Sequence, residues 1–191
     1  EADLLAAIAS MLRKFGLKDE NFVIGVSSRK LLATYLEEIG VTNPALVYPV
    51  LDKRLKIGPE AFAKALAEAN VSEEQVEKLD ALMNCKSIEE VEKLLTKDAA
   101  KNALDEIKEL FETLSAAGYK DCIALDLSIV RGLAYYTGIV FEVFDRGKSM
   151  RAIAGGGRYD SLTEKLCGER MPGVGFGMGD VVLADLLREY G

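Results

Sequence analysis

The sequence contains no histidine. A Ser-His-Asp triad, a zinc site built on histidine and a histidine general base are therefore excluded for these residues. Cysteine is scarce, and Cys85, Cys122 and Cys167 are scattered and odd in number. This usage indicates free thiols in a reducing compartment, so we expect a cytoplasmic location. No apolar run approaches the ~18 residues that a membrane span needs, and no basic region precedes an apolar stretch at Glu1, so neither a span nor a secretory signal is predicted.

Arginine and glycine are distributed unevenly. The chain has 191 residues, 49% hydrophobic and 29% charged, which is typical of a folded globular protein. The net charge is −7, and the acidic excess lies in residues 1–130, with 16 basic against 23 acidic residues. Residues 131–191 are neutral but hold six of the nine arginines, and residues 132–179 hold 11 of the 17 glycines. Because guanidinium groups suit carboxylates and phosphates, we expect the chemistry in this second part.

Hydrophobic periodicity divides the chain into three parts. Residues 1–49 predict a helix, a buried strand and a second helix, as the first part of a core. Residues 50–118 carry successive helical patterns and predict an all-helical insertion. Residues 119–191 change to strand patterns and predict the second part of the core, with a hairpin between its second and third strands. The predicted elements outside the insertion are helix 2–15, strand 22–26, a helix ending at 39, strands 122–127, 139–144, 151–154 and 173–179, and helix 183–190.

Glycine alternates with apolar residues over residues 173–179. At the two-residue period of a strand the glycines share one face, and the apolar side chains between them are expected to point into the core. The glycines are Gly173, Gly175, Gly177 and Gly179, and the apolar residues are Val174, Phe176 and Met178. A bare face lets a neighbouring sheet or a planar ligand such as a purine approach the backbone. Asp180 breaks the Rossmann fingerprint and no Gly-Lys-Ser/Thr sequence occurs, so neither familiar phosphate loop is present.

Two further motifs precede this strand. Residues 155–157 are three consecutive glycines, predicted as a loop that approaches a ligand, with a plain bend as the alternative. Arg158, which follows them, is expected to pair with Asp160 or Glu142. Residues 131–138 read Arg-Gly-Leu-Ala-Tyr-Tyr-Thr-Gly and gather hydrogen-bond donors without a set of metal ligands. Their alternative interpretation is two half-buried tyrosines beside a surface arginine.

Together these motifs resemble the histidyl-tRNA synthetases, which are class II aminoacyl-tRNA synthetases. Residues 131–138 are similar to that family's signature Arg-Gly-Leu-x-Tyr-Tyr-Thr-Gly, and residues 154–160 to its second signature, Ala-Gly-Gly-Gly-Arg-Tyr-Asp. Residues 175–179 and the following helix resemble class II motif 3, and residues 51–58 resemble the entry into the helical insertion. Ala134 is a form typical of archaeal-type members. The resemblance spans essentially the whole chain and implies an α+β fold: the C-terminal part of a class II antiparallel-sheet catalytic domain with its all-helical insertion.

The resemblance implies a role for each motif. Arg131 would be the catalytic cation that neutralises the α-phosphate of ATP while the histidine carboxylate attacks it, consistent with charge building up on phosphate oxygens. Tyr135 and Tyr136 would contact the substrate histidine, because a phenol hydroxyl can recognise a ring nitrogen. The other implied contacts with histidine are Tyr159, Gly155 and Gly156, and those with the adenosine of ATP are Gly175, Gly177 and Gly179. ATP with Mg²⁺ would be a substrate, and no protein-bound metal is predicted.

The chain also departs from the family pattern. Val182 stands where class II enzymes usually carry the motif 3 arginine, so Arg188 or another group would have to replace it. Motifs 1 and 2 and the anticodon-binding domain are not recognised in the sequence. We therefore expect this chain alone to be weakly active or inactive as a histidine-activating, ATP-dependent tRNA ligase.

The implied partners are histidine, ATP and histidine tRNA, with a homodimer expected for the full-length family member and no membrane. A net charge of −7 gives no basic footprint for RNA, so tRNA would be held mainly by parts outside this sequence. The alternative function is a non-catalytic, synthetase-like regulatory or binding module. Such paralogues tend to lose the histidine signature, whereas Arg131, Tyr135, Tyr136 and Tyr159 are all present here.

Overall fold

Nine helices and five strands are found in the part of the chain that the computed structural model describes, residues 1–54, 57–132, 135–147 and 149–190. Their bounds are α1 Ala2–Lys14, β1 Phe22–Ser28, α2 Arg29–Glu38, α3 Pro44–Asp52, α4 Pro59–Glu68, α5 Glu73–Asn84, α6 Ile88–Glu92, α7 Asp98–Ala116, β2 Ile123–Leu125, β3 Ile139–Asp145, β4 Ala154–Arg158, α8 Leu162–Cys167, β5 Val174–Met178 and α9 Asp180–Tyr190. The predictions for the insertion entry, the histidine signature and the hairpin turn lie partly outside the described residues, at Leu55, Lys56, Leu133, Ala134 and Lys148.

The strands form one sheet in the order β2-β1-β3-β4-β5. β1 pairs parallel with β2, and the other pairs are antiparallel. The predicted α+β class, with a mainly antiparallel sheet beside helices, is therefore confirmed. Every residue of β1 is buried, which explains why its sequence is a continuous apolar run rather than an alternation.

A single apolar cluster joins the sheet to the helices. α1 contributes Leu5, Ile8 and Leu12 from one stripe, and α7 contributes Ile107 and others from its own stripe. Such stripes follow from the 3.6-residue period of a helix. Because residues of α7 and of β1 belong to the same cluster, the helices of 50–118 share a core with the sheet. The domain boundaries after residues 49 and 118 stay predictions.

Two sequence predictions about the strands were wrong. The three glycines at 155–157 do not form a loop, because they lie inside β4, which is paired on both sides. Phe176 does not point into a closed core: β5 is an edge strand, and 38% of Phe176 is exposed. None of the helices described combines the length and the apolar character needed to cross a membrane.

Candidate functional site

One face of the sheet is rich in glycine. The strand register places Gly25 opposite Glu142, Glu142 opposite Gly155, and Gly155 opposite Gly177. Alternate residues of a strand share a face, so Gly157 and its partner Gly175 lie on this face as well. We call this surface the glycine face. The row across its centre is Ala124, Gly25, Glu142, Gly155 and Gly177, in which Glu142 has the one side chain longer than a methyl group.

Side chains from outside the sheet fill most of the space over these glycines. A Cβ atom at Gly155 would collide with the guanidinium of Arg131, and one at Gly157 would lie 2.9 Å from the ring of Tyr136. A Cβ atom at Gly175 would lie 2.6 Å from the hydroxyl of Tyr159. At Gly177, by contrast, a Cβ atom would meet nothing within 4 Å. The glycine face thus carries an arginine and two tyrosines side by side and leaves an open surface next to the arginine.

Arg131 is held in place by an acidic partner. Its Nη1 donates a hydrogen bond of 2.8 Å to Oε1 of Glu142, and about four-fifths of the arginine side chain is buried. Its backbone has a φ of 49°, in the left-handed region that non-glycine residues rarely occupy. The guanidinium carbon lies 5.8 Å from the ring centroid of Tyr136, within the range of a cation–π contact. This geometry aims a fixed positive charge at the glycine face.

Three tyrosines form a cluster that meets the arginine through Tyr136. The ring centroids of Tyr135 and Tyr136 are 4.7 Å apart, and Tyr159 meets Tyr135 edge-on at 5.9 Å. Burial and a hydrogen bond with Tyr135 raise the pKa of Tyr136, against the opposing charge of Arg131. The phenol therefore stays protonated at neutral pH and can donate or accept a hydrogen bond.

The wall behind the phenols is apolar. Ile129, Tyr136 and Val140 are buried together, and Tyr135, Phe144 and Tyr159 pack against them. An apolar wall, phenol hydroxyls and a guanidinium oriented by Glu142 suit a ligand that combines a planar ring with an anionic group. Among the described residues, no group of three or more Cys, Asp or Glu side chains is arranged to hold a metal ion.

The other predicted site residues are placed apart from this cluster. Gly156 faces the opposite side of the sheet, toward Phe141 and Phe176. Gly179 follows β5, and a Cβ atom there would lie 3.8 Å from the carbonyl oxygen of Ile153.

Val182, at the motif 3 arginine position, and Arg188, considered as its replacement, also lie away from the glycine face. Val182 packs against the large core cluster. Arg188 pairs with Asp185 at 2.9 Å on the surface of α9. Neither side chain covers the open surface at Gly177.

Sequence reasoning assigned the arginine partners only in part. Arg158 pairs with Asp160 at 3.1 Å, which confirms one of its two expected partners, and it also pairs with Glu1. Glu142 instead pairs with Arg131, so Glu142 was missed as a site residue. A signal existed, because Glu142 is the charged residue in the otherwise apolar run 139–144.

Comparison with known proteins gives one consistent family. The family model described as Histidyl-tRNA synthetase matches residues 1–180. The histidine--tRNA ligase, chloroplastic/mitochondrial, of Arabidopsis thaliana is 39% identical over 191 residues, which cover 99% of this chain and 39% of that protein. The crystal structure of histidyl-tRNA synthetase from Nostoc sp. PCC 7120 superposes with a TM-score of 0.84 at 25% identity, over 98% of this chain and 46% of that chain.

A second structure shares the fold alone. It is described as an ATP phosphoribosyltransferase regulatory subunit/histidyl-tRNA synthetase from Bacillus halodurans, with a TM-score of 0.81 at 22% identity. The superposition covers all of this chain and 49% of that protein. The chain spans less than half the length of each of these three relatives.

Proposed function

The chain belongs to the histidyl-tRNA synthetase family, a family of aminoacyl-tRNA ligases, and from this premise we propose that its glycine face forms part of a site for histidine activation. In the proposed reaction, a carboxylate oxygen of histidine attacks the α-phosphorus of ATP. The bond from that phosphorus to the oxygen bridging to the β-phosphate breaks, and pyrophosphate leaves. The ribose hydroxyl of histidine tRNA then attacks the carbonyl carbon of histidyl-adenylate, the bond from that carbon to the phosphate oxygen breaks, and AMP leaves as the ester forms and the hydroxyl proton is released. Mg²⁺ enters with ATP as part of the substrate.

The position of Arg131 beside the open surface at Gly177 is the observation that supports this proposal. Negative charge builds up on the phosphate oxygens during the attack, and a fixed guanidinium stabilises it most where water is excluded. Arg131 meets both conditions, since its side chain is mostly buried and is oriented by Glu142. Adenosine would lie over Gly175, Gly177 and the chain near Gly179, where a flat ring can approach the backbone.

The phenols beside Arg131 suit the recognition of an imidazole. A neutral hydroxyl can donate to the unprotonated ring nitrogen of histidine or accept from the protonated one. A site built to hydrogen-bond a polar group rejects analogues that lack it far better than an apolar pocket does. Tyr136 and Tyr135 would make these contacts, with Tyr159 and Gly155 lining the same pocket and Gly156 supporting the strand from behind.

A non-catalytic binding or regulatory module is the second candidate, favoured by the fold shared with the Bacillus halodurans protein. The two candidates differ in whether the histidine pocket is kept. Because Arg131 and the tyrosines lie together on the glycine face, we favour the ligase. Titration calorimetry with histidine separates the candidates, since a module with a decayed pocket should release no heat. Histidine tRNA and dimerisation would depend mainly on parts of a full-length family member outside this sequence.

The test of the ligase is histidine-dependent pyrophosphate exchange by the purified chain and by Arg131→Ala. We expect slow exchange in the unchanged chain and a loss of roughly 100-fold or more in the variant. Arg13→Ala is the control, because the contacts of Arg13 are with Asp19, Gly118 and Tyr119 and with none of the site residues described. Exchange that is unchanged in Arg131→Ala would overturn the role of Arg131. A rate near that of an intact relative would overturn the expectation of a partial site.

A further inference from the structure

We propose that Arg29 is a positioning residue that holds the arginine–tyrosine segment, residues 131–138, at both of its ends. This inference rests on the proposed function only for its catalytic consequence, because the contacts themselves are independent of the ligand. The segment carries Arg131, Tyr135 and Tyr136, and its first residue has the unfavourable φ of 49°. Such a backbone persists only where its surroundings determine it.

Arg29 contacts the chain on either side of the segment. Its backbone N–H donates a hydrogen bond of 2.8 Å to the carbonyl oxygen of Gly138, the last residue of the segment. Its Nη1 donates a long hydrogen bond of 3.4 Å to the carbonyl oxygen of Val130, the residue before Arg131. One residue at the start of α2 therefore contacts both ends, Gly138 through its backbone and Val130 through its side chain, and only the second contact depends on the arginine side chain.

The side chain of Arg29 is itself immobilised. Its guanidinium carbon lies 3.2 Å from the ring centroid of Tyr48, so the planar cation stacks on the phenol ring. Burial lowers the pKa of Arg29, while the nearby Tyr48 and Asp52 act in the opposite direction. A lysine would keep the charge but lose both the stacking plane and the forked donors.

Helix α3, which carries Tyr48, also lies close to the start of the segment. Tyr48 and Asp52 are one turn apart on α3 and so share a face. A Cβ atom at Gly132 would lie 3.1 Å from Oδ2 of Asp52, so the chain directly after Arg131 passes close to this carboxylate. α3 thus supplies the ring under Arg29 and a boundary for Gly132.

None of these contacts reaches the ligand surface. The contacts of Arg29 with the described residues are to Val130, Gly138 and Tyr48, so Arg29 acts through the backbone that presents Arg131. A misplacement of ~1 Å in a catalytic group can cost about 100-fold in rate. Loss of the Arg29 side chain should therefore loosen Arg131 and weaken ligand binding in a protein that remains folded.

Limited trypsin digestion reports the conformational freedom of the segment, because trypsin can cleave after Arg131 only when the backbone at Arg131 leaves its fixed conformation. The variants are Arg29→Met, Arg29→Lys and Tyr48→Leu. The control is Arg13→Met, because Arg13 also lies over a tyrosine ring, 4.8 Å from the centroid of Tyr119, and pairs with Asp19. Cleavage after Arg131, followed by mass spectrometry under native conditions, is expected to rise roughly 10-fold in the first three variants and to stay unchanged in the control.

Binding measurements separate this inference from the proposed function. Calorimetry with a non-hydrolysable histidyl-adenylate analogue should show a Kd roughly 10-fold or more higher in Arg29→Met and Arg29→Lys than in Arg13→Met. Faster cleavage with an unchanged Kd would overturn the catalytic consequence. Equal cleavage in folded Arg29→Met, Tyr48→Leu and Arg13→Met would overturn the positioning role. If the unchanged chain binds no analogue, the proposed function fails, while the cleavage rates still decide the role of Arg29.

Discussion

Two glycines that face each other across neighbouring strands have opposite surroundings. The space over Gly155 is filled by the guanidinium of Arg131, whereas the space over Gly177 is empty to 4 Å. The first glycine is required by the protein itself, because any side chain there would displace the arginine. The second is not required for packing, so the backbone at Gly177 is open to the adenosine that we propose for this surface.

Gly177→Ala tests this difference. We expect thermal unfolding to be unchanged or slightly higher, since alanine loses less conformational entropy on folding than glycine does. ATP affinity measured by calorimetry should fall roughly 10-fold, because a methyl group would hold the ligand away from the backbone. Gly58→Ala is a suitable control, since a Cβ atom at Gly58 also meets nothing within 4 Å and this residue lies before α4. Equal ATP affinity in the two variants would place the ligand elsewhere.

The residue motifs could be predicted, but the partner of Arg131 could not. Arg131, Tyr136 and Tyr159 stand in short patterns with unusual composition, so the sequence singles them out. The pairing of Arg131 with Glu142 depends on the register of β3 against β4. That register is set by which faces the whole sheet buries, and no local pattern contains it.

At the scale of elements, the β3–β4 connection depends on a buried carboxylate. Asp145 ends β3 and is 1% exposed. It accepts hydrogen bonds of 2.9 Å from the backbone N–H and the hydroxyl of Ser149 and from the backbone N–H of Met150. Burial alone would raise the pKa of Asp145, but these hydrogen bonds lower it overall. The ionised carboxylate therefore stabilises the connection.

We expect Asp145→Asn to lower the free energy of unfolding by about 1–3 kcal/mol at pH 7. Because the pKa of Asp145 is lower in the folded chain, its contribution is present above the unfolded value of about 3.9 and is lost as pH falls through the folded value. Urea denaturation should accordingly show the two proteins converging below about pH 4. A difference that stays constant down to pH 2 would contradict this account.

The helices were predicted more reliably than the strands. α1 and α7 have long apolar stripes whose period is visible without any partner. The three glycines of β4 are poor strand formers, and they are extended because β3 and β5 pair with them on both sides. Likewise, the exposure of Phe176 follows from the edge position of β5, which is a property of the sheet order and not of the strand's own sequence.

At the scale of the whole molecule, one apolar cluster runs from α1 through α7 to the sheet. Ile107 lies in this cluster and is fully buried. We expect Ile107→Ala to cost about 2–5 kcal/mol, because it leaves a cavity between the helices and β1. Leu46→Ala, at a residue that is 50% exposed, should change stability by no more than about 0.5 kcal/mol.

The shared core also predicts that the chain unfolds in one step. Hydrogen exchange followed by mass spectrometry should give peptides of α7 and of β1 the same highest opening free energy, and Ile107→Ala should lower both together. Two independently folding units would instead show a drop in α7 alone. That outcome would support a domain boundary after residue 118, where the apolar core would end together with the helical sequence pattern.

The left-handed backbone at Arg131 lowers the stability of the fold at the same residue whose guanidinium we propose for histidine activation. An L-residue there gives up about 1–2 kcal/mol that glycine would not. We therefore expect Arg131→Gly to unfold at a higher urea concentration than Arg131→Ala, although both lack the guanidinium. Selection for stability alone would favour glycine at this site, and a screen that rewards only thermal resistance would discard the arginine that we propose for activation.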